Sequence, residues 1–259
     1  MQQIIYTELN HIAYVKLHRP EIRNAFNPEM ILEITECFLK ISQRQDLKAV
    51  VLQGEGKVFC AGADLTWMQD MVNFDFQRNV DDSNKLFAMF QAIDDCPIPV
   101  LGFAQGAAFG GALGLIACCD YVIAEEKTQF CFSEVKLGIA PAVISAFILK
   151  KISRALVAPY MITAKVFNEN QALQMGLVHE VCLTGEGHHQ IQHFLHQVAL
   201  CGPLAVRETK KLIKNVQLLD WEQQKKVTTE LIAKLRTGAE GQDGLQSFLN
   251  KKSPSWVEG

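Results

Sequence analysis

The chain has 259 residues, 49% of them hydrophobic and 20% charged, the make-up of a globular protein long enough to bury a large core. A formal net charge of -3 carries no polycation signature, so neither nucleic acid nor an anionic membrane surface is expected as a partner. The eight cysteines are scattered through apolar stretches with no CxxC spacing, and no apolar run is long enough to span a membrane. Buried thiols in a reducing compartment, with the cytoplasm as location, are the expectation.

Residues 4–9 and 12–17 are short β-type runs joined through Asn10-His11, a hairpin by pattern. Their alternation of polar and apolar residues, with no basic stretch ahead of an apolar core, gives no sign of a secretory signal. Residues 19–24 form a loop. Asn27 or Pro28 then starts a helix whose apolar positions Ile31, Ile34, Phe38 and Ile41 recur at helical spacing. Residues 49–52 read as a buried strand, closed by the polar turn 53–56. The theme repeats with a helix over 83–94, a strand over 98–103, a glycine-rich turn over 106–111 and a helix over 112–119. Strands over 121–124 and 129–132 follow, and from Pro141 onward nearly everything reads as helix. Strand, glycine turn and helix in alternation give an α/β class.

Two turns carry the candidate chemistry. Ala61, Gly62 and Ala63 follow a strand and precede a helical stretch, where backbone NH groups can face a ligand without side-chain obstruction. The segment 106–112, with Gly110 and Gly111, does the same at the next strand-to-helix turn. Two such turns meeting on one oxygen would form an oxyanion hole, in which one donor is worth on the order of 3 kcal/mol of transition-state stabilisation. Glycine and alanine are also ordinary tight-packing residues, so it is the pairing of the turns that points to chemistry. Neither segment has the glycine spacing of a dinucleotide fold or the lysine of a P-loop. His188, His189, His193 and His196 lie on an amphipathic surface helix without acidic or cysteine companions, so no metal is expected. Ser133 lacks the setting of a hydrolase nucleophile.

The ordered segments HRPEIRNAFN (18–27), VFCAGADL (58–65), PIPVLGFAQGAAFGGALGL (97–115), FCFSEVKLGIAP (130–141) and FLNKKSPSW (248–256) resemble the crotonase (enoyl-CoA hydratase/isomerase) superfamily. The resemblance implies a crotonase-type ββα spiral core over 1–195 and a C-terminal helical trimerisation region over 196–259. It implies an acyl-CoA substrate and no separate cofactor, since coenzyme A is part of the substrate. It also implies assembly as a homotrimer or a dimer of trimers. The NH groups of Ala63 and Gly111 would polarise the thioester carbonyl, and Glu134 would be the acid/base. Ile22, Arg23 and Ala61 would contact coenzyme A, within a binding surface that takes in Gly62, Asp64, Leu65 and Gly110. Phe248 and Lys251 belong to a C-terminal region that in this family can reach a neighbour's coenzyme A. Trp67, Met68 and Met71 follow the first turn and suit either an acyl-pocket wall or ordinary core packing. By residue type Asp64 is a helix cap.

Family hydratases commonly carry a second glutamate, and here that position is Gly114. Glu134 would then act alone in a syn addition of water, or share the work with another group. The segments FCAGADLTWMQDM and FSEVKLGIAPAVIS are most similar to the methylglutaconyl-CoA hydratase branch. For such a substrate Arg78, Lys85 and Lys136 are the candidate partners of the distal carboxylate. An enoyl-CoA isomerase, a non-catalytic acyl-CoA binder and an RNA-binding protein are the alternatives, the last disfavoured by the charge.

Overall fold

Asn10 and His11, with φ of 50° and 62°, supply the left-handed pair that a two-residue hairpin turn requires. They join β1 (Ile4–Leu9) to β2 (Ile12–Leu17) as antiparallel partners. The structure is a computed structural model, and residues 3–257 are described. By its contacts the chain forms two units, one comprising residues up to Cys96 with Val100–Ile191, the other Pro97–Pro99 with the chain from Gln192 onward.

In the first unit, α1 (Pro28–Ser42) starts where proline fixes the first helical φ and the Asn27 side chain accepts from the Met30 amide at 2.9 Å. Its buried stripe is Met30, Ile31, Ile34, Phe38 and Ile41. Then come β3 (Ala49–Gly54), α2 (Leu65–Met71), α3 (Phe76–Asp94), β4 (Val100–Ala104), β5 (Ala107–Phe109) and α4 (Ala112–Ala117). The unit continues with β6 (Tyr121–Glu125), β7 (Gln129–Cys131), α5 (Ala142–Lys151), α6 (Arg154–Thr163), β8 (Phe167–Asn168), α7 (Glu169–Met175) and β9 (Glu180–Cys182). A six-stranded sheet runs β1-β2-β3-β4-β6-β9, parallel except for β1 with β2, and a three-stranded sheet runs β5-β7-β8. Ala49, Val50, Val51 and Leu52 are wholly buried, as an apolar run in a parallel sheet requires.

The fold is the expected α/β spiral, with local differences. Helix α3 begins at Phe76 rather than at residue 83, capped by the Asp75 side chain accepting from the Arg78 amide at 2.8 Å. Its first two turns, FQRNVDD, are too polar to show a period, so the pattern appears only where the helix becomes buried. The second glycine turn contains a strand, β5, and the stretch after Pro141 contains β8 and β9 among its helices. These strands have two or three residues, too short to show alternation.

Helix α8 (Gly187–Ala199) crosses from the first unit into the second, which holds α9 (Pro203–Asn215), α10 (Trp221–Thr237) and α11 (Ala239–Leu249). The Glu240 carboxylate accepts from the Leu204 and Ala205 amides, both at 2.8 Å, tying α11 to the first turn of α9. Among the described residues, no helix is long and apolar enough to cross a membrane.

Candidate active site

Three segments of the first unit lie side by side. Cys60 forms a parallel bridge with Ala108, which pairs in turn with Phe130. The Cys60 amide donates to the Ala107 carbonyl and the Phe109 amide to the Cys60 carbonyl, both at 3.2 Å. Ala63 and Gly111 each stand three residues beyond the first bridge, and Glu134 stands four beyond Phe130. Residues far apart in sequence therefore emerge together from one end of three paired segments.

The backbone pairing leaves both candidate donors free. The Phe26 amide donates to the Gly62 carbonyl (2.9 Å) and the Asp64 amide to the Phe26 carbonyl (3.0 Å), so the bridge passes over the Ala63 N–H. Gly111 is the N-cap of α4, where the helix has no carbonyl for its N–H. Among the described residues neither N–H donates to the backbone. Gly111 has an ordinary helical φ of -56°, so glycine is there for space: a methyl group would overlap Cζ of the wholly buried Phe26. Phe26 also packs on Trp67, with ring centroids 6.2 Å apart.

Glu134 opens a short 3-10 turn (Glu134–Leu137), half-buried, and its Oε2 is buried without a hydrogen-bond partner. Oε1 lies close to Gly110, such that a methyl group there would meet it at 3.5 Å. Burial pushes the carboxyl above its usual range, only partly opposed by a backbone amide. An acid/base needs both protonation states within reach near neutral pH, and this environment moves Glu134 in that direction. Gly114 offers no second carboxylate, and its space is filled. A methyl group there would meet Ile144 Cγ2 and Phe90 Cζ, each at 2.7 Å.

These groups open on a cavity of about 490 Å³, within the range of small-molecule sites. Of the residues expected at the site, Ala61, Gly62, Ala63 and Leu65 line it from the first turn, with Trp67 and Met68 beyond them. Gly110, Gly111 and Glu134 line it from the two neighbouring segments, and Met71 follows Met68 in the wall. Ile22, Arg23 and Asp64 are not part of this lining. Ile22 and Arg23 lie on an exposed loop, where Arg23 has φ of 57° and its carbonyl accepts from the Ala61 amide at 2.9 Å. Asp64 is buried, capping α2 through the Thr66 amide (2.7 Å) and pairing with Arg19 Nη2 (2.7 Å). Its carboxyl would be raised by burial, but the Thr66 amide and Arg19 hold it below the usual value. Phe248 and Lys251 lie in the second unit, Phe248 82% exposed.

The structure adds residues that the sequence did not single out. Asn79, Asp82, Ser83 and Leu86 form one stripe of α3 along the cavity, and Leu137, Ile139 and residues 140–144 line it as well. Asn24 is wholly buried with φ of 54°. Its amide donates to the carbonyls of Glu55 and Val58 (both 2.8 Å) and its Oδ1 accepts from the Arg19 amide (2.9 Å), locking the loop beside the first turn. An Asn in a loop is its only sequence signal, and it says nothing of three partners. Arg78, Lys85 and Lys136 do not line the cavity, and Arg78 lies over the Phe74 ring, 3.9 Å from its centroid. Among the described residues no cluster of three metal-binding side chains forms.

The family model for enoyl-CoA hydratase/isomerase matches residues 7–259. The enoyl-CoA hydratase ACTT6 of Alternaria alternata is 30% identical over 246 residues, 94% of this chain and 80% of that one. The mitochondrial Delta(3,5)-Delta(2,4)-dienoyl-CoA isomerase of Mus musculus is 34% identical over 184 residues, 66% of this chain and 55% of that one. A crystal structure of an enoyl-CoA hydratase from Shewanella pealeana superimposes with a TM-score of 0.94 at 34% identity, covering 98% of this chain and 96% of that one. With the paired glycine turns and Glu134 on one cavity, these likenesses show that the chain belongs to the enoyl-CoA hydratase/isomerase family.

Proposed function

We propose that the protein hydrates the C2–C3 double bond of an enoyl-CoA thioester, with Glu134 as the one acid/base. The carrying observation is the half-buried Glu134, its Oε2 without a partner, on the same cavity as the free N–H groups of Ala63 and Gly111. The two N–H groups hold the thioester oxygen as it becomes an enolate. Glu134 takes a proton from water as the water oxygen bonds to C3. The same carboxyl then returns a proton to C2, which balances a syn addition and needs no second acid.

The acyl group that the lining supports is largely apolar and carries no distal negative charge. Its charged members are Asp82 and Glu134, with no lysine or arginine among the described lining. This counts against 3-methylglutaconyl-CoA, whose distal carboxylate needs a counter-cation, and favours simple 2-enoyl-CoAs. Purified protein offered crotonyl-CoA and 3-methylglutaconyl-CoA separates these substrates: hydration of the first and a much lower kcat/KM for the second are expected. Faster turnover of 3-methylglutaconyl-CoA would reverse the substrate proposal.

A second reading is double-bond isomerisation, for which Gly114 is the favouring observation, since one carboxylate suffices to carry a proton between carbons. A 3-enoyl-CoA converted to its 2-enoyl isomer, with no oxygen gained by either, would establish it. For assembly we propose a homotrimer or dimer of trimers. It is supported by the family resemblance and by Leu218, Trp221, Phe248 and Leu249 of the second unit, exposed and apolar. Light scattering of the purified chain tests it, and a monomer at micromolar concentration would overturn it.

A further inference from the structure

Trp67 and Asp82 face the same cavity from α2 and α3, and neither has a role in the proton transfers. Trp67 is 5% exposed, yet its Nε1–H is buried without a hydrogen-bond partner. A buried donor left unpaired is costly, and in a cavity wall it marks a place where a bound group completes the pairing. The indole N–H is near enough to Asp82 to favour its charged form, but not in hydrogen-bond geometry. Burial raises the Asp82 carboxyl, and Lys85, Trp67 and Arg78 only partly offset this. Asn79 and Ser83 flank Asp82 on the same stripe.

The stripe also sets where this polar pair lies. Phe90, two helical turns further along α3, is the residue whose ring fills the space beside Gly114. Asp82 is therefore displaced from it by roughly 12 Å along the helix axis. Both side chains line the cavity that also holds Ala63, Gly111 and Glu134.

We infer that Trp67 and Asp82 form a polar subsite in the acyl pocket that takes a hydroxyl group of the acyl chain. The inference rests on the acyl-CoA reading above and names its substrate class. The choice of group follows from the two partners. Trp67 offers only a donor and Asp82, as a carboxylate, only an acceptor. A hydroxyl accepts from the first and donates to the second with one oxygen. A carboxylate would satisfy Trp67 and be repelled by Asp82, an ammonium would do the reverse, and a methyl group would leave both unpaired.

The test is binding of saturated acyl-CoAs by calorimetry, which needs no turnover. Butanoyl-, hexanoyl- and octanoyl-CoA are each compared with the terminally hydroxylated and terminally methoxylated analogue. At the chain length that reaches the pair, the hydroxylated thioester is expected to bind at least about 10-fold tighter than the plain one. The methoxy analogue, which cannot donate to Asp82, should lose that advantage. Trp67→Phe and Asp82→Leu should each bring the ratio of hydroxylated to plain close to one. Asp82 is only half-buried, so its variant keeps the test valid should Trp67→Phe fold poorly. Equal binding of plain and hydroxylated thioesters at every length, as when water fills the pair, overturns the subsite. So does a preference that survives both variants. Plain acyl-CoAs that bind without any preference sink the subsite alone, whereas failure of every acyl-CoA to bind sinks the acyl-CoA reading and the subsite with it.

Discussion

Gly111→Ala isolates the steric reason for glycine at the second donor. Its φ of -56° and ψ of -20° are open to alanine, so the backbone imposes no penalty. Restricting the unfolded chain would by itself stabilise the variant by about 0.4–1 kcal/mol. The added methyl group, however, overlaps Phe26 Cζ in a wholly buried setting, and overpacking of this kind costs about 1–3 kcal/mol. The net expectation is a loss of about 1–2 kcal/mol in urea unfolding. Either the Phe26 ring or the Gly111 N–H must move. If the N–H loses its aim, kcat for enoyl-CoA hydration falls by about 10²–10³-fold. Phe26→Leu removes the colliding ring atom, so Gly111→Ala made in that background should cost less than half as much as in the native chain. A Gly111→Ala protein as stable as the native one, or a cost unchanged by Phe26→Leu, would refute the reasoning.

Gly114→Ala should lose about 1–3 kcal/mol by crowding Phe90 and Ile144, and Gly114→Glu should therefore gain no activity, as denaturation and hydration assays will show. Asn24→Ala leaves the Glu55 and Val58 carbonyls and the Arg19 amide without their partner, and a loss of at least about 3 kcal/mol is expected in urea titration. Asp64→Ala removes the α2 cap and the partner of Arg19, a loss of about 2 kcal/mol or more. Because Asp64 is held below its ordinary value of 3.8, this contribution is present at neutral pH and fades as pH falls through the acid range, so the variant and native unfolding curves should converge there. Glu134 has the opposite sign. Its raised carboxyl favours the protonated form in the folded chain, so the charged form costs stability as pH rises above the ordinary glutamate value of 4.5. Glu134→Gln should melt higher than the native protein at pH 7, with the gap closing as pH falls from the raised folded value toward the ordinary glutamate value of 4.5.

Much of this site was legible because it is built from backbone. Ala61, Gly62, Ala63, Gly110 and Gly111 announce themselves as small residues at strand-to-helix turns, and their order along the chain carried the rest. Asp64 was legible as a cap from its residue type, although its place in the motif suggested coenzyme A contact as well. What stayed hidden depends on long-range packing. Asp82 and Asn79 sit in the solvent-rich opening of α3, where no apolar period marks a helix, so no pattern aimed them at a cavity. Phe26 reads as one more core aromatic until its ring is seen to occupy the space over Gly111. The reason for Gly114 was equally invisible, since Phe90 and Ile144 reach it from 24 and 30 residues away.

The central claim is that the protein hydrates an enoyl-CoA with Glu134 as the acid/base. Turnover of crotonyl-CoA in heavy-oxygen water measures it directly, with mass spectrometry of the product. The native protein should place one labelled oxygen on C3, and Glu134→Gln should do so about 10²–10⁴-fold more slowly while still binding butanoyl-CoA. Labelled product formed at the native rate by Glu134→Gln, or none formed by the native protein, would contradict it.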